Sequence, residues 1–358
     1  MTTLRLNRKS AGALKFLFVI AAGCVSGNIK AQSKNDHLSK IERTDSLLTI
    51  KLTQNSDVER LAVINGANDI RLAPNAAGNN RLSFSYRYIS FGVNVAPHLF
   101  MSKSNVATMG KTRIRGFSAG FNFRHWQQSF SYNRTKGYYL ENTADYRANW
   151  TPDQPYIQFP DLVFKQYQGA TAYSFNPQFS VNALVTNAER QVKSAGSFIP
   201  VFNYRYYISD DRSAVTSGSA RQKSKNLELL AGPAYYYTFV YRKSFYASAG
   251  LSLQAGLAHA RIETQFIHQA ISSSQNNLAL RLDGSIGLGY NGKRFFSAIY
   301  IRTIETAFRQ QRSTVITEDN RTTGHITIGY RLQAPVFMKK AVSLMDQNLS
   351  KFKSKIKK

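Results

Sequence analysis

Apolar positions recur at every second residue over long stretches of this chain. In residues 278–290 one parity carries Leu278, Leu280, Leu282, Gly284, Ile286, Leu288 and Tyr290, and the other carries Ala279, Arg281, Asp283, Ser285, Gly287 and Gly289. Near the C-terminus Ile326, Ile328, Tyr330 and Leu332 oppose His325, Thr327, Gly329, Arg331 and Gln333. Period two is the signature of strands with two chemically different faces. Similar alternation runs through 82–95, with a phase change near Tyr88, and through 112–123, 127–135, 164–175, 179–189, 198–208, 227–240, 245–264 and 295–306. The pattern predicts an all-β chain of roughly twelve strands, with a range of about 10 to 14.

Strands of a soluble sandwich average about five or six residues, whereas these run to about ten or more. That length suits a tilted sheet crossing a bilayer. Aromatic residues gather near strand ends, at Trp126, Tyr138, Tyr139, Tyr206, Tyr207, Tyr235, Tyr236, Tyr237, Tyr241, Tyr290 and Tyr300, where rings with one apolar and one polar end meet headgroups. In lipid every backbone amide must be paired within the protein. The expected fold is therefore a closed antiparallel transmembrane β-barrel in the outer membrane.

Connections alternate between short (124–126, 176–178, 241–244 and 291–293, the last with an Asn-Gly turn) and long (96–111, 136–163, 209–226, 265–276 and 307–321). Short turns of bacterial barrels face the periplasm and long loops face outward. The stretch 190–226 holds one strand where parity requires none or two, which is the source of the range in strand number.

The ends differ from the middle. Arg5, Arg8, Lys9 and Lys15 precede the apolar run 16–25, with small residues up to Ala31, so residues 1–31 read as a cleaved secretory signal peptide. A competing cleavage before Cys24, after Ala21-Ala22-Gly23, would leave a lipidated N-terminus. Residues 32–80 are read as a periplasmic segment or plug whose two short candidate strands, 47–52 and 69–72, could add a strand to the barrel or cap its periplasmic mouth, and residues 81–337 as the barrel. In 338–358, Val342, Met345, Leu349, Phe352 and Ile356 follow helical spacing among lysines. This predicts a short basic amphipathic helix for an inner-leaflet surface or a partner, or else a solvated tail.

Composition narrows the class. The 358 residues hold one Cys, 45 aromatic residues (23 Phe, 20 Tyr, 2 Trp) and a net charge of +27, which excludes a disulfide scaffold and a disordered chain. Most of that charge survives removal of the leader. Nucleic acid is the obvious partner for so basic a chain, but the export signal and the lack of a recognition module exclude it.

Three runs carry a family resemblance: Lys136-Gly137-Tyr138-Tyr139-Leu140, Tyr173 to Ser180 (Tyr-Ser-Phe-Asn-Pro-Gln-Phe-Ser), and Glu189 to Phe198 (Glu-Arg-Gln-Val-Lys-Ser-Ala-Gly-Ser-Phe). Over about residues 45–335 the chain resembles a family of uncharacterised exported proteins, catalogued as a domain of unknown function. The resemblance implies an outer-membrane location and no assigned activity, and it transfers no functional residues.

Charge placement supplies the candidate sites. Arg113, Arg115, Arg134, Lys165 and Arg261 share the parity of the apolar face and fall at the long-loop ends of their strands. Lipid-facing Arg costs roughly 2–4 kcal/mol at mid-bilayer and about 0–1 at the interface. These five are read as a rim for phosphates of lipopolysaccharide, or else as snorkelling cations at strand ends. On the other parity Arg87, Arg205, Glu228, Arg281, Asp283, His325 and Arg331 face the lumen. If open, their basic excess would favour a small anionic solute; in a plugged core Arg281, Arg331, Asp283 and Glu228 would pair with one another.

Catalytic signals are sparse. His259 has lipid-face parity near a loop end, the position a barrel hydrolase acting on membrane lipid would use, but no Ser or acid is forced beside it. The other His, at 37, 98, 125, 268 and 325, show no metal-binding spacing. The expectation is a non-enzymatic barrel without metal or cofactor, monomeric or loosely associated, serving solute passage or envelope interaction, with the lipid hydrolase as the alternative.

Overall fold

The computed structural model describes residues 40–347 apart from 57, 66–67, 77, 96–104, 217–219, 309–313, 318–320, 341 and 345–346. The leader, Cys24 and residues 348–358 of the tail lie outside the described residues.

Among the described residues, twelve antiparallel strands pair in a closed ring. They are labelled here β1 (Leu47–Asn55), β2 (Asn79–Tyr86), β3 (Ile89–Val95), β4 (Arg113–Asn122), β5 (Trp126–Leu140), β6 (Gln158–Tyr173), β7 (Val201–Asp210), β8 (Arg221–Gly232), β9 (Phe245–Gln265), β10 (Ala270–Asn291), β11 (Phe295–Phe308) and β12 (Arg321–Gln333). Each pairs with the next, and β12 closes on β1 from His325↔Asn55 to Gln333↔Leu47. Closure leaves no open sheet edge, so the backbone of the wall is paired without water.

Leu47–Asn55, within the segment read as preceding the barrel, is thus the closing strand. Its alternation is short because only Leu48, Ile50 and Leu52 are needed on the outer face. The segment read as a strand over 179–189 instead contains a helix, Val181–Val185, capped by Ser180, whose Oγ accepts from the Ala183 amide at 2.9 Å. Gaining one strand and losing another settles the parity at twelve. Two long strands are interrupted by proline without losing register: Ala195–Phe198 runs into β7 across Pro200, and β8 runs into Ala234–Tyr241 across Pro233. Proline lacks the amide that a ladder needs, so the ladder is interrupted there.

The stretch 265–276 is mostly strand. Only 266–269 connect β9 to β10, and the polar residues Ser272, Ser273, Ser274 and Gln275 are paired with β9. Polar residues read as a loop because they lack an apolar face, but strands that project beyond the bilayer have water on both sides. Likewise β5 and β6 reach Leu140 and Gln158, and β7 and β8 reach Asp210 and Arg221, shortening those loops.

The outer face is apolar and open to its surroundings: Leu253, Leu257, Leu278, Leu288, Ile299 and Ile326 are exposed, Leu288 by 68%. So large a greasy belt is stable only against acyl chains. The inner face is polar, with Thr49, Ser85, Gln166, Asn226, Gln254 and Thr327 buried. Tyr207 and Tyr300, read as girdle residues, point inward: Tyr207 packs in a buried cluster and the Tyr300 and Tyr246 hydroxyls lie 2.5 Å apart.

Both ends are covered. At the turn end the insert 174–194 folds against Ile41–Arg43, which pairs with Glu189–Gln191. At the loop end a hairpin, Leu61–Asn65 with Asn68–Ala73, reaches from the β1–β2 connection to β5, where Leu72 and Ala73 pair with Leu140 and Tyr139. Thr314–Thr317 pairs with its other side. Leu61 and Leu72 are buried among Tyr138, Leu140, Leu162, Phe164 and Tyr207. A bulge between Lys136 and Tyr138, with Gly137 at φ +89°, turns the top of β5 toward this hairpin, a backbone state that favours glycine. After β12 a short helix from 336 packs Met338 and Val342 on Leu48, Tyr86 and Ile89.

Candidate functional site

Strand register turns scattered cations into a row. Phe117 lies opposite Tyr132, Tyr132 opposite Tyr167, and Tyr167 opposite Tyr206. Ring centroids are 5.8, 4.9 and 6.4 Å apart along this series, an aromatic girdle on the outer wall. One step toward the loops, Arg115 lies opposite Arg134 and Arg134 opposite Lys165. The row continues through Ile208 and Lys225 to Arg261. From Trp126 at the other girdle to Arg134 the rise is about 20 Å, at about 3.3 Å per residue and a tilt of about 40°. The row therefore sits where acyl chains give way to headgroups.

Its charge is unevenly neutralised. Lys225 and Arg261 reach Glu263 at 3.8 and 3.3 Å, and Lys136, opposite Arg113, pairs with Asp161 at 3.0 Å. Arg115, Arg134 and Lys165 have no ion pair among the described residues. Like charges directly opposite on a sheet repel by roughly 0.2–1 kcal/mol per pair. Three in succession on a lipid-facing wall call for an external anion, and Arg forks fit phosphate oxygens. Lys136 and Lys225 were missing from the sequence reading, because only register shows that they fall beside the others.

The lumen residues separate into two groups. Arg205 reaches Glu228 at 3.3 Å and Arg281 reaches the same carboxylate at 3.9 Å, while Asp283 is bound by Arg302, a residue the sequence reading did not single out. His325 approaches the Thr323 hydroxyl at 3.3 Å. Arg331 joins no carboxylate among the described residues. It is fully buried, and donates to the Asn187 and Gly292 carbonyls and the Asn291 side-chain oxygen. Arg87 lies in the two-residue turn between β2 and β3, beside the Tyr88 ring at 5.9 Å. Arg190, from the insert, donates to the Asn291 carbonyl at 2.9 Å and the Ser244 hydroxyl at 3.2 Å, and pairs with Glu42. Arg331 and Arg190 thus pin the insert to the turn end of β9–β12.

His259 extends the girdle row and its Nδ1 lies 2.6 Å from Asn276 Oδ1. No Ser hydroxyl bonds its ring among the described residues, so the constellation for nucleophilic hydrolysis is incomplete. No group of three or more potential metal ligands occurs among the described residues.

Several solved barrels resemble this chain in outline. The outer membrane protease OmpT from Escherichia coli aligns with a TM-score of 0.33 at 6% identity, over 81% of this chain and 96% of that one. The copper transporter OprC gives 0.30 at 10% identity, over 81% and 44%. Ail, the attachment invasion locus protein of Yersinia pestis, gives 0.20 at 13%, over 80% and 97%. No curated protein matches the chain. A family model does match, over residues 38–332, from β1 to the end of β12. This barrel, with its insert and hairpin, belongs to the family described as a domain of unknown function, DUF4421.

Proposed function

We propose that this outer-membrane barrel is an envelope-interaction protein that holds phosphate groups of the outer-leaflet glycolipid on the row Arg115, Arg134 and Lys165. Arg113 and Arg261 flank it. One observation carries the reading: three outward cations stand in direct cross-strand register just above the aromatic girdle, without ion pairs among the described residues. Phosphates bridging adjacent guanidinium groups would remove the repulsion and tie neighbouring lipids to the wall. The covers at both ends, with Arg331 and Arg190 holding one of them, favour this reading over a standing open conduit.

The test replaces Arg115, Arg134 and Lys165 with Gln together. Lipopolysaccharide co-purifying with the folded barrel should fall several-fold relative to the unaltered protein, while a Lys225→Gln control, whose ammonium already faces Glu263, should stay near the parent value. Unchanged lipid content in the triple variant would remove the basis for the proposal.

A further inference from the structure

On the turn side of the outer wall, Leu332, Leu48, Tyr86, Ile89 and Phe121 stand in one cross-strand row, from β12 through β1, β2 and β3 to β4. The ends of the row are open, Leu332 by 44% and Phe121 by 42%, whereas Tyr86 at its middle is only 6% exposed. The cover is the short helix from 336, whose Met338 and Val342 cluster with Leu48, Tyr86, Tyr88 and Ile89. The chain leaving β12 therefore folds back along the outside of the barrel.

Hydrogen bonds fix where this helix starts. The Ala334 amide donates to the Ser46 carbonyl at 3.0 Å, and the amides of Met338 and Lys339 donate to the Pro335 carbonyl at 3.1 and 3.2 Å. Its neighbours fix its depth. Tyr88 stacks on Phe123 with ring centroids 5.2 Å apart, and the Phe123 amide donates to the Trp126 carbonyl at 2.8 Å. These rings belong to the girdle at the turn end, where acyl chains give way to headgroups.

The helix is apolar on two sides. Met338 and Val342, four residues apart, share the side held against the wall. Phe337 and Leu344, seven apart, share another side, and they are 71% and 60% exposed; Val336 beside them is 67% exposed. Lys339 and Lys340 are exposed as well and have no ion pair among the described residues. Lys340 stands four residues from both Val336 and Leu344, so its stem can lie along them while the ammonium reaches phosphate depth. Basic character continues along the chain, since residues 339–358 hold seven Lys and one Asp. An exposed apolar side that is continuous with the lipid-facing belt and flanked by cations fits an anionic phospholipid surface.

We infer that the helix from 336 is an interfacial anchor: Val336, Phe337 and Leu344 enter the phospholipid leaflet on the turn side, and Lys339 and Lys340 meet its anionic headgroups. The anchor sets the depth of the turn end independently of the glycolipid row, which lies at the other boundary of the membrane.

For the test, the full chain carrying Cys24→Ser, which removes its one thiol, is folded into vesicles without lipopolysaccharide. A fluorophore is attached at Leu344→Cys or at Lys339→Cys. Access is read with acrylamide from water and with brominated acyl chains from lipid. In vesicles of phosphatidylglycerol and phosphatidylcholine, the probe at 344 should be at least about threefold less accessible to acrylamide than the probe at 339, and it should be quenched by brominated lipid. In phosphatidylcholine alone the contrast should shrink, because the lysines lose their counter-charge. Phe337→Glu, which leaves Met338 and Val342 in place, should abolish the shielding at 344 while the barrel keeps its heat-modifiable mobility. Equal access of the two probes, or full shielding in Phe337→Glu, would overturn the inference. So would shielding that grows with protein density without quenching by brominated lipid, which would assign this side to a second copy. An undiminished contrast in phosphatidylcholine would overturn the choice of anionic lipid.

Discussion

The guanidinium of Arg331, on the last strand, makes two hydrogen bonds to the backbone carbonyl of Asn187 in the insert, from Nε at 2.9 Å and from Nη2 at 2.7 Å. A residue of the wall thereby holds the cover of the turn end, and the same side chain reaches the Gly292 carbonyl at 2.6 Å in the β10–β11 turn. Arg331→Met should leave several buried acceptors without a donor. A loss of about 3–5 kcal/mol is expected for the docked insert, read as rapid protease cleavage within 180–190 while the barrel keeps its heat-modifiable mobility. Arg331→Lys should restore little, since one ammonium cannot serve acceptors in three directions. An insert that stays protected in Arg331→Met would show that other contacts hold it.

The facing pair Arg115 and Arg134 gives a prediction whose sign depends on the lipid. In detergent without lipopolysaccharide, Arg134→Gln should stabilise the barrel by a few tenths to about 1 kcal/mol, because it removes repulsion on both sides. With lipopolysaccharide added, the same variant should be less stable than the parent. A thermal midpoint shift of the same sign in both conditions would contradict a charge row completed by an external anion.

Covers at both ends make passage a two-lock problem. Deleting the hairpin between 60 and 74, or releasing the insert through Arg331→Met and Arg190→Met, should each leave planar-bilayer conductance near background; the two changes combined should open it. Steady large steps from either single change would show that the remaining cover does not obstruct the lumen. Leu72→Ala tests the hairpin separately, with an expected cost of about 2–4 kcal/mol from the cavity left among Tyr138, Phe164 and Tyr207.

Glu189 adds a pH dependence to the insert. Burial raises its carboxyl above the ordinary value, only partly offset by the hydrogen bond from Ser180 and by Arg43. The docked insert therefore holds this proton more tightly than the released one. Its contribution to docking is fully present below the ordinary carboxylate range near 4.5 and is lost as pH rises through the raised value. Protease protection of the insert should fall with rising pH over that window, and Glu189→Gln, permanently neutral, should flatten the slope. A slope that persists in Glu189→Gln would assign the titration elsewhere.

The barrel class was legible in the sequence because bilayer and lumen impose opposite chemistry on alternate residues. Leu278 to Tyr290 and Ile326 to Leu332 needed no tertiary information to be recognised as wall. Where that contrast vanished the reading failed. Ser272 to Gln275 lie on strands with water on both sides, and the 179–189 segment alternates by accident within a piece that folds as a capped helix. Short β1 was half visible, since three outward residues are too few to establish a period.

By itself the amino-acid order determined the strand direction, the membrane-facing parity and the stock of cations at headgroup depth, because each depends only on period two and on distance along a strand. The tertiary structure alone decided which cations stand side by side, that Lys225 and Lys136 join them, and that Arg331 meets Asn187 across 144 positions of chain. Those relations are set by shear and closure, which bring distant segments into register, and no local pattern encodes the register between strands that are not neighbours in sequence.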